Sequence, residues 1–240
     1  AGLPPGRARG AEPVSVESRQ VSRGMVIGSA APTEAERAVV RHHLVGEQDP
    51  RQPLTAGQYG RRVRRVVAAL AERGVPALLV GGSGLYLRAA LGGFDADLPS
   101  DPAVRARWND RLRRALHAEL ASLDPERAGE LAPGDGVRLV RALELHELTG
   151  QLPSTLRSRG REAETRARIV VLVRDKEDLE SRIRARVDAM IREGLKAEVE
   201  ALAALGVPPE SPLMKSVGYA ETLRHRAGDL DAAAWREAMV

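Results

Sequence analysis

Residues 76–87 read "PALLVGGSGLYL". A short apolar run, glycines around Ser83 and a second apolar segment predict a buried strand, a tight turn and a helix start. A strand that is apolar throughout belongs in a parallel sheet covered on both faces. The turn poses a chemical question, because Walker loops cradle phosphates with a lysine placed between Gly and Ser or Thr. The lysines are Lys176, Lys196 and Lys215, and only Lys215 precedes a serine, Ser216, but it follows Met214. No Walker loop exists in this sequence, and "GGSG" does not match the GxGxxG dinucleotide pattern. What the turn offers is a close backbone approach and the Ser83 hydroxyl, whose ordinary role at a helix start is that of an N-cap.

The rest of the pattern surrounds this unit. Residues 1–13 are rich in Pro and Gly and read as a disordered leader. "VSVES" (14–18) is a short strand, and "RIVVLV" (168–173) is another. One helix is possible after Pro32. Thr55 opens a helix through Arg73 that Gly74 stops, with Val63, Val66, Val67 and Leu70 as its apolar stripe. From Gly92 to about Thr165 the pattern is helical only. Asp101-Pro102 and Asp124-Pro125 each set an N-cap before a proline, and "GVRLVRALELHELTG" closes at Gly150. Residues 158–167 form a polar connector. A long helix follows the last strand, with Leu179, Ile183, Val187, Met190 and Ile191 on one side and Gly194 near its end, and two or three shorter helices finish the chain.

Strands alternating with helices around a helical block predict an α/β fold. Its core comprises residues 14–93 and 168–240, and residues 94–167 form a helical insertion. The chain has 240 residues, a net charge of +4 and a pI near 9.9, and Arg supplies almost all the positive charge. Arg presents a planar fork to phosphate, so nucleic acid is a plausible acidic partner. Aromatic residues make up only 2%, which argues against a base-stacking single-strand binder. The lack of cysteine excludes disulfides and thiol chemistry and fits a cytoplasmic protein. No apolar run reaches the roughly 18 residues of a membrane span. His42 and His43 have no ligand partners at metal spacing and read as structural.

Seven blocks in order carry a family resemblance: "SVESRQVSRGMVIGSAAPTEAER", "HHL", "LLVGGSGLYLRAAL", "DPAVRAR", "RLVRALELHELTG", "RIRARVDAMIREGLKAEVEAL" and "SVGYAE". From about Val14 to Val240 the chain resembles the tRNA dimethylallyltransferases. These enzymes move a dimethylallyl group from dimethylallyl diphosphate to the N6 amine of the adenosine just 3′ of the anticodon. The resemblance implies a P-loop-NTPase-like parallel sheet and a monomer acting on the tRNA anticodon stem-loop. It also implies Mg²⁺, although no ligand for it stands out here.

An exocyclic amine needs a base to take its proton as the new bond forms. By resemblance that base is Glu17, where the family has an aspartate, and Ser83 is the accompanying hydroxyl, where the family has a threonine. Ser18, Arg19 and Gln20 match a tRNA-contacting stretch. So do Arg105 and the run Val137, Arg138, Leu139, Val140 and Arg141, in which the arginines supply charge from one helix face.

Departures from the family pattern are part of the same reading. The leader stands where the family has its Walker-type strand and loop, so the sheet is expected to be incomplete. Val26 and Ala31 replace a charged pair, Ser22 stands where an aromatic is common, and Gly46 where an acid is common. The chain reaches "WREAMV", short of the family's basic C-terminal segment. The rival readings are a tRNA-binding remnant without transfer activity and a P-loop kinase, the latter disfavoured by the missing lysine loop.

Overall fold

The fold is described from a computed structural model, which covers residues 10–92, 98–158 and 167–240. Two compact units emerge: one of Ala1–Thr55, Arg62–Leu87 and Arg168–Val240, the other of Ala56–Arg61 and Arg88–Ala167. The expected division at 93/94 lies outside the described residues. The chain passes between the units at Leu87/Arg88 and at Ala167/Arg168.

In the first unit, β1 (Glu12–Ser15) pairs with β2 (Ala77–Val80) in parallel, Glu12 opposite Ala77 and Ser15 opposite Val80. Between them in the chain come α1 (Glu34–Val39) and α2 (Ala56–Glu72), the latter with Ala56–Arg61 in the second unit. The strand begins two residues before the "VSVES" run, so Glu12 and Pro13 are sheet residues rather than leader. Pro13 is tolerated because it has no amide to place; its carbonyl accepts the His43 amide at 2.9 Å on the other side of β1. Residues 1–9 of the expected leader are outside the described residues. His43 also bonds Glu12 at 2.6 Å, and His42 bonds the Val40 carbonyl at 2.9 Å, so both histidines brace the sheet and its neighbouring loop.

The predicted strand 168–173 is a correction. The segment is irregular, and Val170, Leu172 and Val173 are 72%, 91% and 85% exposed. A strand exists only where its amides and carbonyls meet a neighbour. Among the described residues the sheet has just β1 and β2, and neither pairs with 168–173.

Following β2 comes α3 (Gly84–Ala90). After residue 167 the first unit is helical: α9 (Lys176–Glu193), α10 (Leu195–Ala204), α11 (Tyr219–Ala227) and α12 (Ala232–Ala238). On α9, Val187 and Met190 are buried with Ile183 and Ile191 against them, whereas Leu179 is exposed. The expected stripe therefore holds only over the second half of the helix. It packs with Leu195, Val199, Leu202, Leu213, Tyr219 and Trp235 into one core that also takes in Met25. Each such side chain contributes roughly 1.5–3 kcal/mol by leaving water.

The second unit contains α4 (Pro102–Asn109), α5 (Arg113–Leu123), α6 (Pro125–Gly129), α7 (Gly136–Thr149) and α8 (Pro153–Ser158). Both Asp-Pro signals are N-caps: Asp101 accepts the amides of Ala103 and Val104, and Asp124 that of Arg127. Asp124 also accepts the Ser154 amide at 2.8 Å, which ties α6 to α8. Its core is Leu116, Leu120, Ala128, Leu131, Leu139, Val140, Ala142 and Leu143.

Candidate active site and arginine cluster

The ends of β1 and β2 converge. The Val16 amide donates to the Val80 carbonyl at 2.6 Å, and the Ser83 amide donates to the Val16 carbonyl at 3.2 Å. Gly81 permits this approach, since a Cβ there would overlap the Val16 carbonyl group. The convergence carries Glu17 onto the glycine turn. One carboxylate oxygen accepts the Gly82 amide at 2.5 Å and the other the Ser83 hydroxyl at 3.0 Å. Ser83 Oγ in turn accepts the Ser18 amide at 3.1 Å. The hydroxyl thus serves Glu17 and Ser18 across the strand ends.

A carboxylate has about four lone-pair positions, and two here are occupied. Glu17 is half-buried and held on both oxygens, with lone-pair positions left over. A cavity of about 180 Å³ opens beside it, bordered by Ser15, Glu17, Gln20, Val80 and Gly81. Of the other residues expected here, Arg19 donates to the Ser18 hydroxyl at 2.5 Å. Gln20 is turned inward, donating to the carbonyls of Ser29 and Ala30 and accepting the Ser15 hydroxyl at 2.7 Å. Ser22 is 1% exposed, and its hydroxyl has no partner among the described residues.

The second unit holds the other expected contacts. Val137 is 83% exposed, and Arg138 is exposed and paired with Asp135 at 2.7 Å. Leu139 and Val140 belong to the core, which removes their side chains from any tRNA-contacting surface: they fall on the inner face of α7. Arg105 and Arg141 meet at a residue the sequence reading passed over. Glu144, fully buried, accepts Arg105 at 2.9 Å and Arg141 at 2.7 Å, together with the Ser100 hydroxyl and the Asp101 amide. Burial opposes its ionisation, but the donors from Arg141, Arg105, Asp101 and Ser100 outweigh that and hold its pKa below the usual 4.5. The available signal was an acid inside an apolar helix face three residues after an arginine.

A parallel strand pair with a carboxylate and a hydroxyl meeting at its ends, beside a cavity, makes this an α/β protein with a candidate site at the strand ends. The chain belongs to the IPP transferase family, whose profile matches residues 20–240, beginning just past Glu17. It is 44% identical over 225 residues to a tRNA dimethylallyltransferase of Verminephrobacter eiseniae, covering 89% of this chain and 66% of that protein. A tRNA dimethylallyltransferase of Paracidovorax citrulli is 42% identical, with 95% of this chain and 71% of that protein covered. Among solved structures, the tRNA isopentenylpyrophosphate transferase of Bacillus halodurans is 29% identical with a TM-score of 0.67, over 98% of this chain and 75% of that one. A eukaryotic dimethylallyltransferase acting on tRNA, 20% identical, shares the fold with a TM-score of 0.76, over 98% and 63%.

Proposed function

We propose that the protein of this chain transfers a dimethylallyl group from dimethylallyl diphosphate to N6 of the adenosine 3′ to a tRNA anticodon. The observation that carries the reading is the Glu17–Ser83 pair at the strand ends. Glu17 accepts the N6 proton as the nitrogen–carbon bond forms. The carbon–oxygen bond to diphosphate breaks, and its electron pair leaves with the diphosphate. Ser83 and the Gly82 amide hold the carboxylate in one orientation, so no reorganisation is needed as the proton moves.

Arg105, Arg138 and Arg141 offer cationic, partly exposed groups to tRNA phosphates. Mg²⁺ is expected by family resemblance. Among the described residues no group of three or more His, Asp or Glu is placed to hold a metal ion. No step here passes through it. Among the described residues no helix is long and apolar enough to cross a membrane.

The test is incubation with dimethylallyl diphosphate and unmodified tRNA, reading isopentenyl adenosine by mass spectrometry. Formation of product that Glu17→Gln abolishes supports the reading. Salt-sensitive tRNA binding without product leaves a tRNA-binding protein in its place.

A further inference from the structure

Glu198, on α10, reaches back to a turn 170 residues earlier in the chain. One carboxylate oxygen accepts the amides of Val26 at 2.8 Å and Ile27 at 2.7 Å. The other accepts the Gly28 amide at 3.0 Å and the Tyr219 hydroxyl at 2.6 Å. Successive amides that converge in this way form a concave anion site. Here a carboxylate of the same chain fills it. Tyr219 is buried, and its ring lies where a side chain at position 28 would project: a Cβ on Gly28 would come within 2.5 Å of it.

The captured turn is closed internally, with Ala30 donating to the Ile27 carbonyl at 3.0 Å and Ala31 to the Val26 carbonyl at 2.9 Å. It is then tied to the candidate active site by the Gln20 side chain. Gln20 donates to the Ser29 and Ala30 carbonyls and accepts the Ser15 hydroxyl. Ser15 and Gln20 lie on either side of Glu17 in sequence. A continuous run of hydrogen bonds therefore leads from Glu198 through the turn and Gln20 to the segment that carries Glu17.

We propose that Glu198 is a positioning residue for the Glu17–Ser83 pair, acting through the amides of 26–28 and the Gln20 side chain. This rests on the reading of Glu17 as proton acceptor. Glu198 touches no reacting atom; it limits how far residues 17–20 can drift, and a misplacement of about 1 Å is enough to cost about a hundredfold in rate.

The test compares Glu198→Ala, Glu198→Gln and Tyr219→Phe in the full-length protein by hydrogen exchange and by transfer kinetics. Glu198→Ala is expected to raise exchange at 26–28 and also at 18–22, while the amides of β1, β2 and α11 stay protected. It is expected to lower kcat by roughly ten- to a hundredfold with KM for dimethylallyl diphosphate nearly unchanged. Glu198→Gln keeps one oxygen for two of the four donors and is expected to fall between. Tyr219→Phe keeps all three amide contacts and is expected to retain most of kcat. Exchange confined to 26–28 with kcat unchanged overturns the proposal. So does uniform loss of protection with normal kcat per folded molecule, which is the mark of a merely structural carboxylate. If the unsubstituted protein transfers nothing, the functional reading falls. The exchange pattern then decides alone: spread into 18–22 supports positioning by Glu198, and confinement to 26–28 refutes it.

Discussion

The Glu17 carboxylate and the Ser83 hydroxyl, 66 residues apart in the chain, meet at 3.0 Å where two parallel strands end. The hydroxyl is itself held by the Ser18 amide, so each member of the pair restricts the other. Glu17→Gln removes the proton acceptor while keeping the shape, and transfer is expected to fall about 10²- to 10⁴-fold. Ser83→Ala leaves the carboxylate but frees one oxygen. A hydrogen bond to a charged group contributes about 1.5–3 kcal/mol. If that bond acts in the transition state, kcat drops roughly ten- to a hundredfold. Single-turnover rates with saturating tRNA measure both.

Gly81→Ala tests the strand convergence. The new methyl meets the Val16 carbonyl, which is backbone and cannot rotate away. Overpacking of this kind costs about 1–3 kcal/mol. Urea unfolding is expected to show that loss, together with reduced transfer, because Glu17 follows directly on Val16. A stability equal to that of the parent protein would show that the strand ends have room to separate.

Glu144 gives the second unit a pH-dependent contribution. Its folded pKa is depressed, so the stabilisation is fully present above its usual 4.5 and is lost as pH falls through the lower folded value. Glu144→Gln is expected to cost about 1–3 kcal/mol near neutral pH and to flatten the acid side of the stability curve. Denaturant melts across pH 3–7, roughly spanning the ordinary carboxylate range, read the difference.

Arginine substitutions separate binding from packing on α7. Arg138→Ala is expected to weaken tRNA binding alike for different sequences and to lower the salt slope by about one. Leu139→Ala is expected instead to destabilise the protein by about 2–5 kcal/mol, because Leu139 lies in the core. Its effect on tRNA affinity per folded molecule is expected to be small. Filter binding at several salt concentrations, beside thermal melts, distinguishes the two.

Ser22 carries a buried hydroxyl without a partner among the described residues, at a position where the family often has an aromatic. An unsatisfied polar atom of this kind costs about 1–3 kcal/mol. Ser22→Ala is expected to raise stability by up to about 1 kcal/mol, seen as a higher urea midpoint with an unchanged slope.

Local signals in the sequence determined local structure. The Asp101 and Asp124 caps, the stops at Gly150 and Gly194, and the strand–turn–helix around Ser83 depend on neighbours a few residues apart. Glu17 and Ser83 were also legible as motif positions, and the fold brings them together. Tertiary structure alone decided how they are used. The run 168–173 is apolar enough for a strand but has no paired neighbour among the described residues, so pairing and not propensity ruled. Ser83 resembles an N-cap in sequence, yet its oxygen accepts the Ser18 amide and its hydrogen goes to Glu17, because the convergence of β1 and β2 brings that amide and a charged acceptor within reach. Gln20 lies in a stretch expected to meet tRNA, but its amide is engaged by a turn ten residues on. Glu198 gathers donors from far along the chain, as does Glu144 beyond its near neighbour Arg141, and no spacing rule encodes partners that meet only after folding.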